Sequence, residues 1–397
     1  QGCIVVNDIG IVELTSPQNG EIAACHNLTA VPIKARFRNT GLNAQDSIPI
    51  GYEANGTVVL DTLYGPLASG SSIDFTFPST FNASSLGSYT VKVWSNASND
   101  GNIYNDTSEV TFTVISGGTA KTAPYTQNFD GWASCPTTTD CGATVCALFD
   151  DWNNLSNGTF DDIDFRTNNG STASSGTGPT NDNTLGTSAG KYLYLEASGG
   201  CNFQEALLVS PCIDLTNTTL PELEFAYHMQ GAHIGELHID LFSNGEWHLD
   251  ITAPKVGPQG NTWFNENVSL VPWAGQIVSI RFRASTGSDY QGDIAIDDFS
   301  ITQAATAPIA GFSVSNPTPC TGEVVDLIDQ STNVPASWNW SITPATYSFV
   351  NGTSATSQNP QVVFNALFSL SRIQSAVAQR HINIVKQIKI RNQIKTL

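Results

Sequence analysis

Stretches in which apolar and polar residues alternate recur along most of the chain: Val31 to Phe37, Val58 to Leu63, Ile73 to Phe77, Tyr89 to Trp94, and later Leu223 to Met229, Leu237 to Leu241 and Gly292 to Ile301. A period of two sends one row of side chains toward a core and the next toward water, which is the pattern of a half-buried strand. Turn-forming residues separate these runs, among them Asn39-Thr40-Gly41, Asn55-Gly56 and Leu86-Gly87. Short strands at such spacing predict serial β-sandwiches, an all-β chain with little helix.

One strand carries more than the pattern needs. Gly-Asp-Ile-Ala-Ile-Asp-Asp-Phe-Ser-Ile, residues 292 to 301, holds adjacent carboxylates at Asp297 and Asp298. Strict alternation puts Asp298 on the face of Ile294 and Ile296. An ionised carboxylate facing a core is costly unless it is paired or bound to a cation, so a structural calcium is expected here.

The composition agrees with strands: only 13% of residues are charged, and Gly, Asn, Ser and Thr are abundant. The net charge is −19, unevenly spread. Six of the 16 basic residues lie from Ala366 onward, where no acid occurs, leaving ten against 35 acidic side chains in the body. An acidic body repels phosphate backbones, which argues against nucleic acid and anionic membrane as partners. No apolar run is long enough for a membrane span, and no signal-peptide pattern is present. A chain that begins at Gln1 reads as a piece of a longer precursor, so export is still expected.

Eight cysteines, with no repeated Cys-x-x-Cys pair of the zinc-site kind, point to disulfides and hence to an oxidising compartment. Cys201 and Cys212 bracket Phe203 to Val209. If a hairpin joins them, closing so short a loop stabilises by about 3 kcal/mol. Cys135, Cys141 and Cys146 leave one thiol over, Cys135 with Cys146 being one candidate pair, and Cys3, Cys25 and Cys320 have no evident partners.

Three resemblances organise the chain. In residues 1–116, Phe37-Arg38-Asn39-Thr40-Gly41, Leu67-Ala68-Ser69-Gly70 and Asn105-Asp106-Thr107 resemble CARDB-like, immunoglobulin-like modules of bacterial surface proteins. After a Ser116-Gly117-Gly118-Thr119 linker, residues 123–303 resemble a MAM domain. The likeness rests on Asp161-Asp162-Ile163-Asp164-Phe165, Gly178-Pro179-Thr180-Asn181-Asp182-Asn183-Thr184 and Gly190-Lys191-Tyr192-Leu193-Tyr194-Leu195-Glu196-Ala197-Ser198. It continues through Leu208-Val209-Ser210-Pro211, Phe225-Ala226-Tyr227-His228-Met229, Trp263 and the closing acidic strand. This resemblance implies a jelly-roll sandwich used outside the cell for adhesion, with no catalytic residues.

Residues 307–365 resemble a PKD domain through Pro308-Ile309-Ala310-Gly311-Phe312, Gly322-Glu323-Val324-Val325-Asp326-Leu327 and Ser337-Trp338-Asn339-Trp340, but stop before its Gly-x-Tyr-x-Val strand. The basic tail 366–397 stands in its place. A shifted reading frame is the expectation: Leu367-Phe368-Ser369-Leu370 written TTA TTC AGT C reads Tyr-Ser-Val in the next frame. As the sequence stands, Ile373 to Ile394 is expected as a basic helix and the third sheet as lacking its closing strands.

In sandwiches of the MAM type the first strand lies near the last, so Asp130 is expected beside Asp298 with Asp164 close by. Asp162 and Asp297 are weaker ligands of the same calcium; otherwise Asp161 and Asp162 cap a turn and Asp297 is solvated. Several carboxylates and a few carbonyls are what a hard cation takes. His228 and His238 fall on the outward rows of their strands, where a hairpin turning at Gly231 to Gly235 would set them across from one another. No His-Glu-x-x-His or Gly-x-Ser-x-Gly motif occurs. The expected function is a noncatalytic binding or adhesion segment of a secreted or cell-surface protein, its partner an extracellular protein or glycan. The alternative is the accessory region of a secreted hydrolase, metalloprotease-like, whose catalytic domain lies outside this chain.

Overall fold

A computed structural model describes residues 5–135, 140–141, 146, 148–304, 308–317, 319–333, 335, 337–343, 346–365, 370–379 and 382–391, the last two segments as backbone. The fold is all-β; the helical pieces among the described residues are two single turns, Ala24–His26 and Val271–Trp273. Two compact units are present, Gln1–Gln303 and Ala304–Leu397.

In the first unit, a three-stranded sheet (Ile9–Ser16, Lys34–Asn39, Ser72–Thr76) faces a five-stranded one ordered Gly20–Ala23, Thr107–Ile115, Gly87–Ser95, Gln45–Ala54 and Thr57–Leu67. Alternation does what the sequence asks. Tyr89, Val91 and Val93 point into the core with Ile48, Ile50 and Tyr52, while Thr90 and Lys92 are exposed. Asn39 in the expected turn is buried, and its amide donates to the carbonyls of Asn43 and Leu67, both at 2.8 Å, so the polar group costs little inside.

The second sandwich packs a six-stranded sheet against an eight-stranded one. In the six-stranded sheet, Ile294–Gln303 runs between Tyr192–Leu195 and Pro221–Met229. Phe165–Asn168 and Gly260–Ser269 flank these, and Tyr125–Gln127 pairs with the far half of Ile294–Gln303. The opposing sheet is built around Ile277–Thr286, which pairs with Glu205–Val209 and Ile234–Ser243. Leu193, Leu195, Phe225, Phe282, Ile294, Ile296 and Phe299 fill the space between, all nearly inaccessible. Each such side chain contributes about 1.5–3 kcal/mol through burial.

These two sandwiches are joined, not merely strung together. Phe242 and Trp247 of the second belong to the apolar cluster of the first, and Cys25 is bonded to Cys212. His26 meets Phe242 edge-on with ring centroids 4.6 Å apart and shares a 2.9 Å hydrogen bond with Ser279. Glu21 accepts from Asn153 and Ser156, and Lys34 pairs with Glu246. The expected linker is part of this junction: a Cβ on Gly117 would collide with Ala23, and Lys121–Thr122 just beyond it pairs with Ile213–Asp214.

In the second unit, Phe312–Val314, Val324–Asp329, Gln361–Phe364 and Tyr347–Phe349 form one sheet, and Ser337–Thr343, Leu370–Gln379 and Ile382–Arg391 another. Trp340 and Leu327 centre a small core, with the Trp340 indole donating to the Ser357 carbonyl at 2.9 Å. The basic helix expected over 373–394 is replaced by two antiparallel strands wherever that stretch is described. Ile382, Ile384, Ile388 and Ile390 sit two or four apart, a strand period that outweighs the helix-permissive Gln and Lys between them. The third sheet therefore has the closing strands it was expected to lack. Positions 366–369, where the frame shift was placed, lie outside the described residues.

Candidate functional site

The acidic strand holds a β-bulge that reassigns its faces. Glu224 lies opposite Ser300 and Ala226 opposite Asp297, so Phe225 faces two residues, and Asp298 takes a left-handed φ of 48°. An extra residue in one strand shifts the alternation beyond it, which returns Phe299 and Ile301 to the core. Asp298 is thus turned away from the core, half-buried at the point where its strand changes partner, and does not face the core as strict alternation had it. Asp297, expected as a weaker calcium ligand or else solvated, is fully buried.

The bulge sits where the strand changes partner. Tyr192–Leu195 pairs with Ile294 to Ile296 and Tyr125–Gln127 with Phe299 to Ile301, and the segment 181–190 covers the gap between them. Asp297 accepts the Asn183 backbone N–H at 2.8 Å and that of Asp298 at 2.8 Å. Asp298 accepts from the Asn183 amide at 2.7 Å and the Thr184 hydroxyl at 2.5 Å. Asp182, also buried, accepts the N–H groups of Leu185 and Thr187 at 2.7 and 2.9 Å, and Trp263 donates to the Asn181 carbonyl at 2.9 Å. Burial, with the charges of Asp298 and Asp182 adding to it, pushes the Asp297 carboxyl up to about 8.

The first strand lies beside the last as expected, Tyr125–Gln127 pairing with Phe299 to Ile301, and Asp130 just beyond it has hydrogen bonds of its own. Its carboxylate accepts the Lys191 N–H at 2.8 Å and the Asn128 amide at 3.0 Å, while its carbonyl accepts the Lys191 ammonium at 2.7 Å. Asp164 belongs to another group, with Asp161 and Asp162 beside the Glu205–Val209 strand. There Asp162 accepts the Glu205 N–H at 3.0 Å and Asp161 the Leu207 N–H at 2.8 Å. Burial raises both Asp164 and Asp161, the latter to about 7. Among the described residues no three His, Cys, Asp or Glu side chains are disposed to hold a metal ion.

A second buried acidic pair lies outside the residues that the sequence pattern singles out. Asp293 and Glu196 lie on the outer face of the six-stranded sheet, where Asp293 accepts the Ala197 N–H at 3.1 Å and Glu196 that of Ser198 at 2.9 Å. Burial and the nearby Glu196 raise Asp293 to about 7. The signal was available: Tyr192, Tyr194 and Glu196 share one row of their strand, and a polar row under a long loop is covered, not solvated.

The histidines do not converge. Gly231 to Gly235 carries the chain from one sheet to the other instead of turning a hairpin, so His228 and His238 sit in different sheets. His228 is buried against Trp263 and bonded to Asn261 at 3.2 Å, and His238 bridges Asp250 and Glu236 at 2.6 and 3.0 Å. Among the cysteines, Cys135 pairs with Cys146, but Cys201 pairs with Cys141 and Cys212 with Cys25. The proposed Cys201 to Cys212 hairpin fails because Glu205–Val209 pairs with Ile277–Thr286 and does not fold back between the two cysteines.

Residues 146–306 match the family described as MAM domain, meprin/A5/mu. Neuropilin-1a of Danio rerio is 35% identical over 127 residues, and the MAM domain-containing glycosylphosphatidylinositol anchor protein 1 of Rattus norvegicus 37% over 127 residues. Each match covers 32% of this chain and 13% of the relative, so the chain spans about an eighth of the length of either. Among solved structures, the CARDB domain of a Pyrococcus furiosus protein is 15% identical and covers 29% of this chain and 99% of its own, with a TM-score of 0.22.

Proposed function

We propose that the chain is a noncatalytic recognition segment of a secreted or surface-attached protein, with the second sandwich as a MAM-type module that binds an extracellular partner. The observation that supports this is how the acidic signature is spent. Asp182, Asp297 and Asp298 accept hydrogen bonds from backbone, amide and hydroxyl groups and hold the 181–190 segment on the sheet, an anchoring role and not that of an acid and base facing a substrate cleft. Three disulfides among the described residues fit an oxidising compartment.

Calcium belongs to this reading as a proposal about stability. Asp182, Asp297 and Asp298 gather negative charge at one place, which a hard cation would relieve. With no three such side chains among the described residues disposed to hold a metal, it would take at most two carboxylates from them, the remaining ligands being backbone, amide or hydroxyl oxygens such as those of Asn183 and Thr184. Its contribution would be to pin the segment, with no chemistry on a substrate. The function is tested by passing the full chain over an array of extracellular protein domains. Saturable retention of a defined partner is the expected result. Retention of none, or cleavage of peptide or glycosidic substrates by the purified chain, would overturn it.

A further inference from the structure

The first sandwich carries a cleft that the MAM-type reading does not use. On the outer face of its five-stranded sheet, Gly51 lies between Trp94 on one neighbouring strand and Leu60 on the other. The Trp94 indole occupies the space above Gly51, where a Cβ would stand 2.6 Å from its Cζ2. Alternation makes this placement unusual: Ser88, Thr90 and Lys92, the other members of that row, are the exposed polar residues of an ordinary solvated face.

Around the indole opens a cleft of about 300 Å³ whose rim is polar: Glu53, Lys92, Asn96, Asp106 and Thr107, with exposed Ile103 as an apolar wall. That volume is at the small end for ligand sites. Among the described residues, neither the Trp94 N–H nor the side chains of Glu53, Lys92, Asn96 and Thr107 form a hydrogen bond or ion pair with protein. An aromatic floor ringed by uncommitted donors and acceptors of both kinds fits one chemistry better than others. Two carboxylates disfavour a phosphate or other polyanion, the polar rim disfavours a wholly apolar guest, the Lys92 ammonium disfavours an organic cation over the same ring, and a bare metal ion would leave the indole unused.

We propose that this cleft binds a neutral saccharide, a sugar ring laying its C–H face on Trp94 while its hydroxyls are shared among Glu53, Lys92, Asn96 and Asp106. Gly51 is the positioning residue, since any side chain there would lift the indole. The test is titration calorimetry of the full chain with soluble hexaoses of glucose, mannose, galactose and N-acetylglucosamine. At least one binds, and Trp94→Ala weakens it by at least about tenfold, the loss of one central aromatic contact. Trp94→Phe keeps most of the affinity. Trp94 is an outward side chain, so an unchanged melting midpoint shows each variant folded. Absence of binding by every hexaose, or equal affinity in Trp94→Ala, overturns the proposal. Retention of a protein partner by the same variant shows that the second sandwich's role is a separate matter.

Discussion

Replacing Cys25 and Cys212 together by alanine removes the covalent tie between the two sandwiches without leaving a lone thiol. The bridge spans 187 residues of sequence. Closing a loop that long removes conformational entropy from the unfolded chain worth about 5 kcal/mol. Unfolding entropy near 2.1 cal/mol/K per residue gives a unit of this size about 0.6 kcal/mol/K, so the midpoint should fall by about 8 °C. The Cys135–Cys146 and Cys141–Cys201 bridges lie within the second sandwich and are untouched. The junction also keeps its noncovalent contacts, Phe242 and Trp247 in the first core and Glu21 bonded to Asn153 and Ser156, so the native fold survives and the loss is felt in the unfolded state. Differential scanning calorimetry of oxidised wild type and double variant reads the shift. A change below about 2 °C would refute the claim that this bridge couples the two sandwiches.

Gly190→Ala drives a Cβ into the Asp182 carboxylate that holds Leu185 and Thr187, and should cost about 2 kcal/mol in urea melts; an unchanged midpoint would show that the 181–190 segment yields freely. Burial depresses His26 and His228 to about 4 from an ordinary 6.5, so both are neutral in the folded chain. The unfolded state takes up protons first, and stability is lost as pH falls from about 6.5 to about 4, by up to about 3 kcal/mol for each group. His26→Gln should flatten that decline in thermal melts across the window, and an identical slope would count against it. Adding calcium to chelator-treated protein should raise the melting midpoint if the charge gathered at Asp182, Asp297 and Asp298 holds a cation; no shift would leave those carboxylates to their hydrogen bonds alone.

Periodicity made the sheets legible. The runs from Tyr89 to Trp94 and from Leu223 to Met229 are strands with the expected rows inward, because burial of one face is a local property of the pattern. Partners were less accessible. Cys25 finds Cys212 because the two sandwiches dock, and His228 and His238 part because the chain crosses between sheets at Gly231 to Gly235; neither event leaves a mark on the neighbouring residues. The tail departs from the expected helix for a different reason. Gln, Lys and Ile are compatible with a helix as well as a strand, and pairing with Ser337–Thr343 decides between them.

The acidic strand shows how narrow the margin is between a correct pattern and a wrong site. Alternation from Ile294 predicts Asp298 on the core face, and it would be right if the strand were regular. One residue in the left-handed region moves Phe299 into the place that Asp298 would have taken, and the buried carboxylate becomes its neighbour Asp297. The sequence carried a trace of this. Phe299 and Ile301 continue an apolar row that is out of phase with Ile294 and Ile296, and a phase change inside one strand requires an extra residue between the two halves. The bulge therefore follows from the demand that both halves bury their apolar rows. The acidic pair sits there because a carboxylate at the interruption can accept the N–H groups of a covering segment, which an uninterrupted ladder would have left without a partner on the sheet.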